Sequence, residues 1–272
     1  MGEGPVTKVK NGVLKVLRGT GAIVEGTAET VKDATVATLR GAGDVVSGAG
    51  EVVSQVATSA FDAVNEVGTG LIRTSKGLVV GLLQGVGEVA TVTTGVISDT
   101  VRAALKGSGQ IGGDVTKTAG AIAEGVIGTT ESVGVGLSEG AFTLAHTVVT
   151  SAKDLGSDLI GTTAATMSGA ITGAKEVGAD VLETVRSTAR GFVTGAGEVG
   201  GDVTKVTEAA IGGAIDGAKK IGLSAEDAAS AADTGAFAAA EEIGESAVQA
   251  VRDVAAEGVE GVKAVILGDQ DT

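Results

Sequence analysis

The sequence predicts an all-α protein built from an amphipathic repeat of eleven residues. Three observations predict this fold. The repeat runs from Lys8 to Asp271 as 24 units without insertion or deletion, its apolar residues share one side of a helix, and alternate units repeat every 22 residues. Eleven residues over three turns give about 3.67 residues per turn, a period that favours a right-handed supercoil. We therefore expect a very long helix or a series of stacked helical hairpins.

The apolar side of this helix is continuous along the repeat. Columns 1, 5, 9, 2, 6 and 10 lie together on the helical wheel and hold Val, Ile, Leu, Ala and Gly, whereas the other columns hold nearly all the charge. Such a division into two sides is typical of a helix that buries one face. The predicted apolar face includes these members of the fifth column: Val45, Val67, Val89, Ile111, Ile122, Leu144, Leu155, Val177, Val199, Ile221 and Ile243.

Glycine follows the 22-residue period in two columns. In alternate units the eighth column carries Gly81, Gly125, Gly169, Gly191, Gly213 and Gly235. Glycine costs about 1 kcal/mol against alanine inside a helix, but it lets a neighbouring backbone approach closely. From the sixth column we predict these helix contacts: Gly68, Gly112, Gly134, Gly156, Gly178, Gly200, Gly222 and Gly244. The alternative is that these glycines persist from an ancestral 22-residue unit.

The chain divides into a flexible leader, residues 1–7, which Pro5 keeps out of the helix, and a continuous repeat over residues 8–271. Candidate bends lie at residues 107–113, at Gly200-Gly201 and at Gly212-Gly213. One unbroken helix would be on the order of 400 Å long, and hairpins that keep the repeat in phase are the other possibility. A β-solenoid is a further alternative, because Val, Thr and Gly at a fixed period also suit stacked coils. The weak period-two alternation argues against it.

Composition limits the possible functions. The chain has 46 Gly, 4 Phe and no Cys, Trp or Tyr, so its apolar face is shallow and a compact enzyme domain is not expected. A net charge of −14 argues against binding to nucleic acid, whose phosphates need a basic face. The N-terminal segment is an exception: Lys8, Lys10, Lys15 and Arg18 surround apolar residues, which suits a surface anchor or a solvated helix start.

No segment is long and apolar enough to be a membrane span or a signal peptide. We therefore expect an intracellular protein that is soluble or peripheral to a membrane. His146 is the only histidine and falls on the polar side, where we expect it to be solvated. Triplets such as Gly41-Ala42-Gly43 lack the surroundings of a phosphate-binding loop. We predict no catalytic, cofactor-binding or metal-binding residue.

Several units resemble a known type of lipid-binding repeat. VTKVKNGV (6–13), TVKDATVATLR (30–40) and TVRSTARGFVTGAGEVGGDVTK (184–205) are similar to the repeats of perilipins and synucleins. The resemblance implies a long amphipathic helix that folds on lipid droplets or vesicles. Late-embryogenesis proteins, which act during desiccation, share the same period. The polar side here is acidic where synuclein repeats are lysine-rich, which puts simple lipid coating in doubt.

Three functions remain open. The first is a non-catalytic structural protein that self-assembles through its small-residue face into a bundle, tube or filament. We favour it because regularly spaced glycines need a partner with a period of its own. The alternatives are a peripheral coat on lipid and a protectant against desiccation. The expected partners are copies of the same chain and, for the coat, a lipid surface.

Overall fold

The computed structural model of the chain describes residues 5–19, 22–42 and 45–262. The predicted all-α class is confirmed: within these ranges the regular elements are helices, one short 3₁₀ helix (Glu131–Val133) and no strand. The β-solenoid alternative is therefore wrong. The helices are α1 (Pro5–Arg18), α2 (Ile23–Ala42), α3 (Val45–Val67), α4 (Leu71–Val89), α5 (Thr94–Gln110), α6 (Val115–Thr130), α7 (Leu137–Asp154), α8 (Leu159–Val177), α9 (Val181–Glu198), α10 (Val203–Ile221), α11 (Ala225–Ile243) and α12 (Glu245–Glu257).

The 22-residue period corresponds to one helix and the turn that follows it. Successive helices from α6 to α11 begin at Val115, Leu137, Leu159, Val181, Val203 and Ala225, which are 22 residues apart. Of the two expected arrangements, stacked helical hairpins is therefore the one that forms. The unbroken helix does not, because every unit ends in a turn that keeps the repeat in phase. The handedness of the supercoil stays a prediction.

A three-residue turn joins α8 to α9 and illustrates how the direction reverses. Gly178 adopts φ +72°, its N–H donates to the carbonyl of Lys175, and the Ala179 N–H donates to the carbonyl of Ala174 at 2.9 Å. This is a Schellman C-cap, in which a left-handed glycine satisfies the last carbonyls of a helix. The Asp180 side chain then accepts from the Glu183 N–H at 3.0 Å and caps the next helix. One helix thus ends and the next begins within three residues.

The helices form two layers. From α1 to α11 each helix makes its most extensive contacts with the helix two places along the chain, so the odd-numbered helices form one layer and the even-numbered helices the other. Gly169 lies against Gly120, and four residues later Gly173 lies against Glu124. Because both contacts advance together, neighbours within a layer are parallel. Consecutive helices are antiparallel and pack across the two layers.

The core lies between the layers and consists mostly of Ala and Val, with Leu and Ile. Two of the four phenylalanines, Phe61 and Phe192, are among the largest fully buried side chains. Many helical threonines satisfy their hydroxyls on the carbonyl four residues earlier, as Thr188 does on Thr184 at 2.6 Å. Small side chains in the core let the layers approach closely, so the shallow apolar face predicted from composition is buried within the chain.

The expected boundaries and bends are only partly correct. Pro5 is the first residue of α1, where its fixed φ suits a helix and its missing N–H costs nothing. The leader prediction is therefore wrong for residues 5–7, which lie in α1, and residues 1–4 lie outside the described ranges. Gly112-Gly113 and Gly200-Gly201 do lie in turns, but residues 107–109 lie inside α5 and Gly212-Gly213 inside α10.

Candidate functional site

The glycines of the eighth column form the contacts between parallel helices. A methyl group added at Gly213 in α10 would lie 2.6 Å from the carbonyl oxygen of Ala164 in α8, and one added at Gly125 in α6 would lie 3.1 Å from the carbonyl oxygen of Lys76 in α4. A second glycine often follows four residues later, as Gly217 does, and meets the same neighbouring helix. These residues let two helix backbones touch, which larger side chains would prevent.

The sixth-column glycines do not make these contacts, and that part of the site prediction is wrong. Each has a positive φ and lies in the turn or helix cap that ends a unit. A Cβ added at any of them would meet no atom within 4 Å, and they are Gly68, Gly112, Gly134, Gly156, Gly178, Gly200, Gly222 and Gly244. Glycine recurs there because the left-handed conformation disfavours a Cβ, and close packing is not the reason.

The predicted apolar face is divided by the turns. Ile122 and Leu144 lie in mid-helix and are fully buried. The other members with described side chains lie at or beside helix C-termini. Val67, Val89, Ile111, Val199 and Ile221 are half-buried, and Leu155, Val177 and Ile243 are exposed. The side chain of Val45 lies outside the described part. One column cannot face the core throughout, because every other member falls at a turn.

Ion pairs connect neighbouring helices on the outside of each layer. Arg18 in α1 pairs with Glu66 in α3 at 3.0 Å, and Arg190 in α9 pairs with Glu242 in α11 at 2.5 Å. In both pairs the acid lies near the end of its helix and the cation two helices earlier. Exposed pairs of this kind contribute little stability individually. Both pairs join helices two places apart in the chain, with offsets of 48 and 52 residues, which agrees with parallel packing within a layer.

Lys76 in α4 is less exposed and joins three even-numbered helices. Its Nζ contacts Glu124 in α6 and lies 2.9 Å from Glu176 in α8. Burial opposes the charge of Lys76, but hydrogen bonds to the two glutamates outweigh it and raise the pKa of Lys76. Burial raises the pKa of Glu124 despite the neighbouring lysine. The three groups together hold the even-numbered layer in register.

The most varied surface cluster lies on the odd-numbered layer, around Phe142 in α7. The Phe142 ring stacks on His146 with centroids 6.0 Å apart, and the Arg190 guanidinium lies 5.7 Å from the Phe142 centroid. His146 Nε2 lies 2.7 Å from Glu198 Oε2, so this histidine is half-buried and paired, contrary to the expectation that it is solvated. A shallow cleft of about 360 Å³ runs from Phe142 towards α11.

Polar and charged side chains along this cleft are bonded to one another. Ser138 and Ser187 both donate to Glu183, at 2.8 and 3.0 Å, so one carboxylate oxygen accepts from both hydroxyls. Arg186 also pairs with Glu183, at 2.7 Å. Sequence reasoning missed this cluster because it brings together residues 45–52 positions apart. Among the described residues, no group of three or more His, Asp or Glu side chains could hold a metal ion.

Asp233 in α11 is the one fully buried acid in the described core. Its side chain is 0% exposed, and neither carboxylate oxygen has a hydrogen-bond partner. Ala189 and Ala145, which are 44 and 88 residues earlier, occupy the equivalent positions. Burial without a partner disfavours the charged form and raises the pKa of Asp233 to about 6. The carboxylate is therefore a weak point in the C-terminal part of the core.

Comparison with known proteins adds no family to these observations. No protein-family model matches the chain, and no curated protein matches its sequence. The resemblance to perilipins and synucleins accordingly remains an expectation. None of the helices in the described ranges is long and apolar enough to cross a membrane.

Proposed function

We propose that the chain is a non-catalytic structural protein, an α-solenoid scaffold whose copies associate with one another. One observation carries the proposal: the same parallel packing step repeats from helix to helix, as in the contacts of Gly169, Gly191 and Gly213 with the helix two places earlier. A stack made by repeating one step has two open ends. Within the described residues those ends are the α1–α2 pair and the α11–α12 pair, beyond which no further described helix packs.

The mechanism of association differs from the sequence expectation. The small-residue face that was expected to bind other copies lies against helices of the same chain, as at Gly213 and Ala164. Self-association must therefore use surfaces that remain exposed after folding. Charged outer surfaces and the two open ends are what the folded chain presents.

Sedimentation velocity over a dilution series tests the proposal, with far-UV circular dichroism recorded on the same samples. We expect species larger than a monomer that dissociate on dilution while the helix content stays constant, because each chain is already folded. A chain that remains monomeric over the whole range would contradict the proposal.

A peripheral lipid coat is the second candidate, and a specific feature favours it. Four of the five large apolar side chains that are exposed in the described residues lie at turns on the same edge of the stack. They are Ile72, Leu155, Ile160 and Ile243. Such an edge would seat shallowly in the interface of a neutral bilayer, with each residue adding a small contribution.

Flotation with phosphatidylcholine vesicles tests this second candidate. If the edge binds lipid, the wild-type chain floats and the variant L155D/I160D does not, because two charges then enter the interface. The matched control is Val177→Asp on the opposite edge, which should float as the wild type does. Flotation of L155D/I160D would exclude the edge as the lipid contact.

A further inference from the structure

The two ends of the odd-numbered layer carry opposite charge. Helix α1 contains four cations and no acid, namely Lys8, Lys10, Lys15 and Arg18. Helix α11 contains four exposed acids and no cation, namely Glu226, Asp227, Glu241 and Glu242. The order of contacts, from α1 through α3, α5, α7 and α9 to α11, places these helices at opposite ends of the layer. The layer therefore has a basic end and an acidic end.

Part of this charge has no partner within the described chain. Lys10 and Arg18 both pair with Glu66, whereas Lys8 and Lys15 are exposed and make no ion pair with a described residue. Both lysines border shallow grooves between α1 and α2, of about 420 and 670 Å³. Helix α2 contributes Asp33 to the first groove and Glu25 and Glu29 to the second, without an ion pair to either lysine. On α11, Glu242 pairs with Arg190. The other three exposed acids form no ion pair with a described residue, although Arg252 of α12 lies over Phe237 and lines a pocket with Glu241.

The register of the stack relates these charges to each other. Within the chain, Gly191 meets Phe142 and Gly235 meets Arg186, each 49 residues earlier. Lys15 in α1 and Gly235 in α11 occupy equivalent positions of the repeat, because Gly235 comes five steps of 44 residues after Lys15. It therefore lies on the face that would meet a preceding helix. If a second copy supplied that helix, Lys15 would lie opposite residue 230 of its α11, and Lys8 opposite residue 223.

This alignment places Glu226 and Asp227 of one copy between the two lysines of the next, within about one helical turn of each. We propose that the basic outer face of α1 docks on the acidic outer face of α11 in a second copy, so that copies add head to tail. This inference rests on the self-association proposed above and names the surfaces that carry it. A head-to-tail contact of this kind does not close on itself and extends into chains.

Charge also decides the conditions under which the contact forms. Exposed opposite charges attract over about 10 Å at 0.1 M salt and over about 3 Å at 1 M. Chain growth should therefore be strong at low salt and weak at high salt. Complementary charge also disfavours head-to-head and tail-to-tail contacts, because each would bring like charges together.

Two half-blocked variants test the proposal by sedimentation velocity in 20 mM NaCl. K8E/K15E reverses two charges on the α1 face and leaves α11 unchanged. E226K/D227K reverses two charges on the α11 face and leaves α1 unchanged. We expect each variant alone to associate about tenfold more weakly than the wild type, because two attractive charges become repulsive. An equimolar mixture should associate about as strongly as the wild type and form alternating chains, because the unreversed faces of the two variants are complementary and so are the two reversed faces.

The matched control for K8E/K15E is R73E/K106E, which makes the same change in net charge. It replaces two exposed cations that lie in the middle of the stack and form no ion pair with a described residue. It should associate as the wild type does. Unchanged association of K8E/K15E, or a mixture that associates no better than either variant alone, would overturn the head-to-tail contact and leave self-association standing. A wild-type chain that stays monomeric at every salt concentration would overturn both. Circular dichroism confirms that each variant is folded.

Discussion

Alanine substitutions at two adjacent glycines in α10, Gly212 and Gly213, test whether close helix packing requires glycine. Both remove the cost that glycine has in any helix, but only Gly213 lies at a backbone contact. A methyl group added at Gly213 would lie 2.6 Å from the Ala164 carbonyl oxygen and 2.8 Å from the Ala164 Cα, both in the backbone of α8. A methyl group added at Gly212 would meet only the Val259 side chain, at 3.8 Å, an ordinary van der Waals distance. The two positions share the same helix and the same turn.

The expected magnitudes follow from these distances. Both substitutions by alanine gain about 1 kcal/mol of helix propensity, and this gain cancels when the two variants are compared. For Gly213→Ala, α10 and α8 must separate by about 0.8 Å to restore a normal contact, and overpacking of this kind costs about 1–3 kcal/mol. Gly212→Ala should therefore be more stable than the wild type. Gly213→Ala should be less stable than Gly212→Ala by about 1–3 kcal/mol, the cost of overpacking.

Thermal unfolding followed by circular dichroism at 222 nm measures the difference. One kcal/mol shifts the Tm of a protein of this size by about 2–4 °C, so a difference of about 1–3 kcal/mol should separate the two variants by roughly 2–12 °C, with Gly212→Ala the higher. Equal shifts for the two variants would refute the assignment of Gly213 to a backbone contact. The same logic applies to the other eighth-column glycines.

Three further predictions concern the core and the turns. Asp233→Ala should stabilise the chain by about 3 kcal/mol at pH 7.5 and by much less near pH 4. The reason is that the pKa of Asp233 is about 6 in the folded state and near 3.9 in the unfolded chain, so the wild type loses stability as the pH rises between these two values. Urea unfolding at both pH values measures the gain; an equal gain at both, or a comparable gain from the exposed control Asp62→Ala, would contradict the prediction. Asp180→Ala should cost about 1 kcal/mol through loss of the α9 cap, and Asp180→Asn should restore most of it in the same unfolding assay. Gly178→Ala should lower stability by about 1–2 kcal/mol because of its left-handed backbone, with no change in sedimentation; weaker association at unchanged stability would return Gly178 to a contact role.

The fold class and the period were predictable from the sequence, because apolar and charged residues alternate with a helical period over the whole repeat. The location of the turns was less evident, since a glycine in a left-handed turn and a glycine in a helix contact are the same residue. A local signal existed: in Gly112-Gly113-Asp114 and Gly178-Ala179-Asp180, a helix-ending glycine is followed two residues later by a helix-capping aspartate. That spacing distinguishes the turn glycines from those in contacts.

The surface features were not predictable in the same way. The stacking of Phe142 on His146 follows from helical spacing, but the approach of Arg190 depends on the parallel packing of α7 and α9. The partnership of Lys76 with Glu176 spans 100 residues and three helices. Such pairs depend on the offset between neighbouring helices of a layer, and an 11-residue pattern leaves that offset undefined.

The 49-residue offset between an eighth-column glycine and the backbone it touches also governs how the chain folds and unfolds. Helices from α1 to α11 depend mainly on partners within about two units, so no contact of this set waits for the two chain termini to meet. Order can then start at any pair of neighbouring units and spread in both directions, as in a one-dimensional lattice. Amide hydrogens should exchange first in the outermost helices and last in α6 to α8. A chain shortened by whole units from either terminus should lose stability in even steps while the remaining units keep their structure.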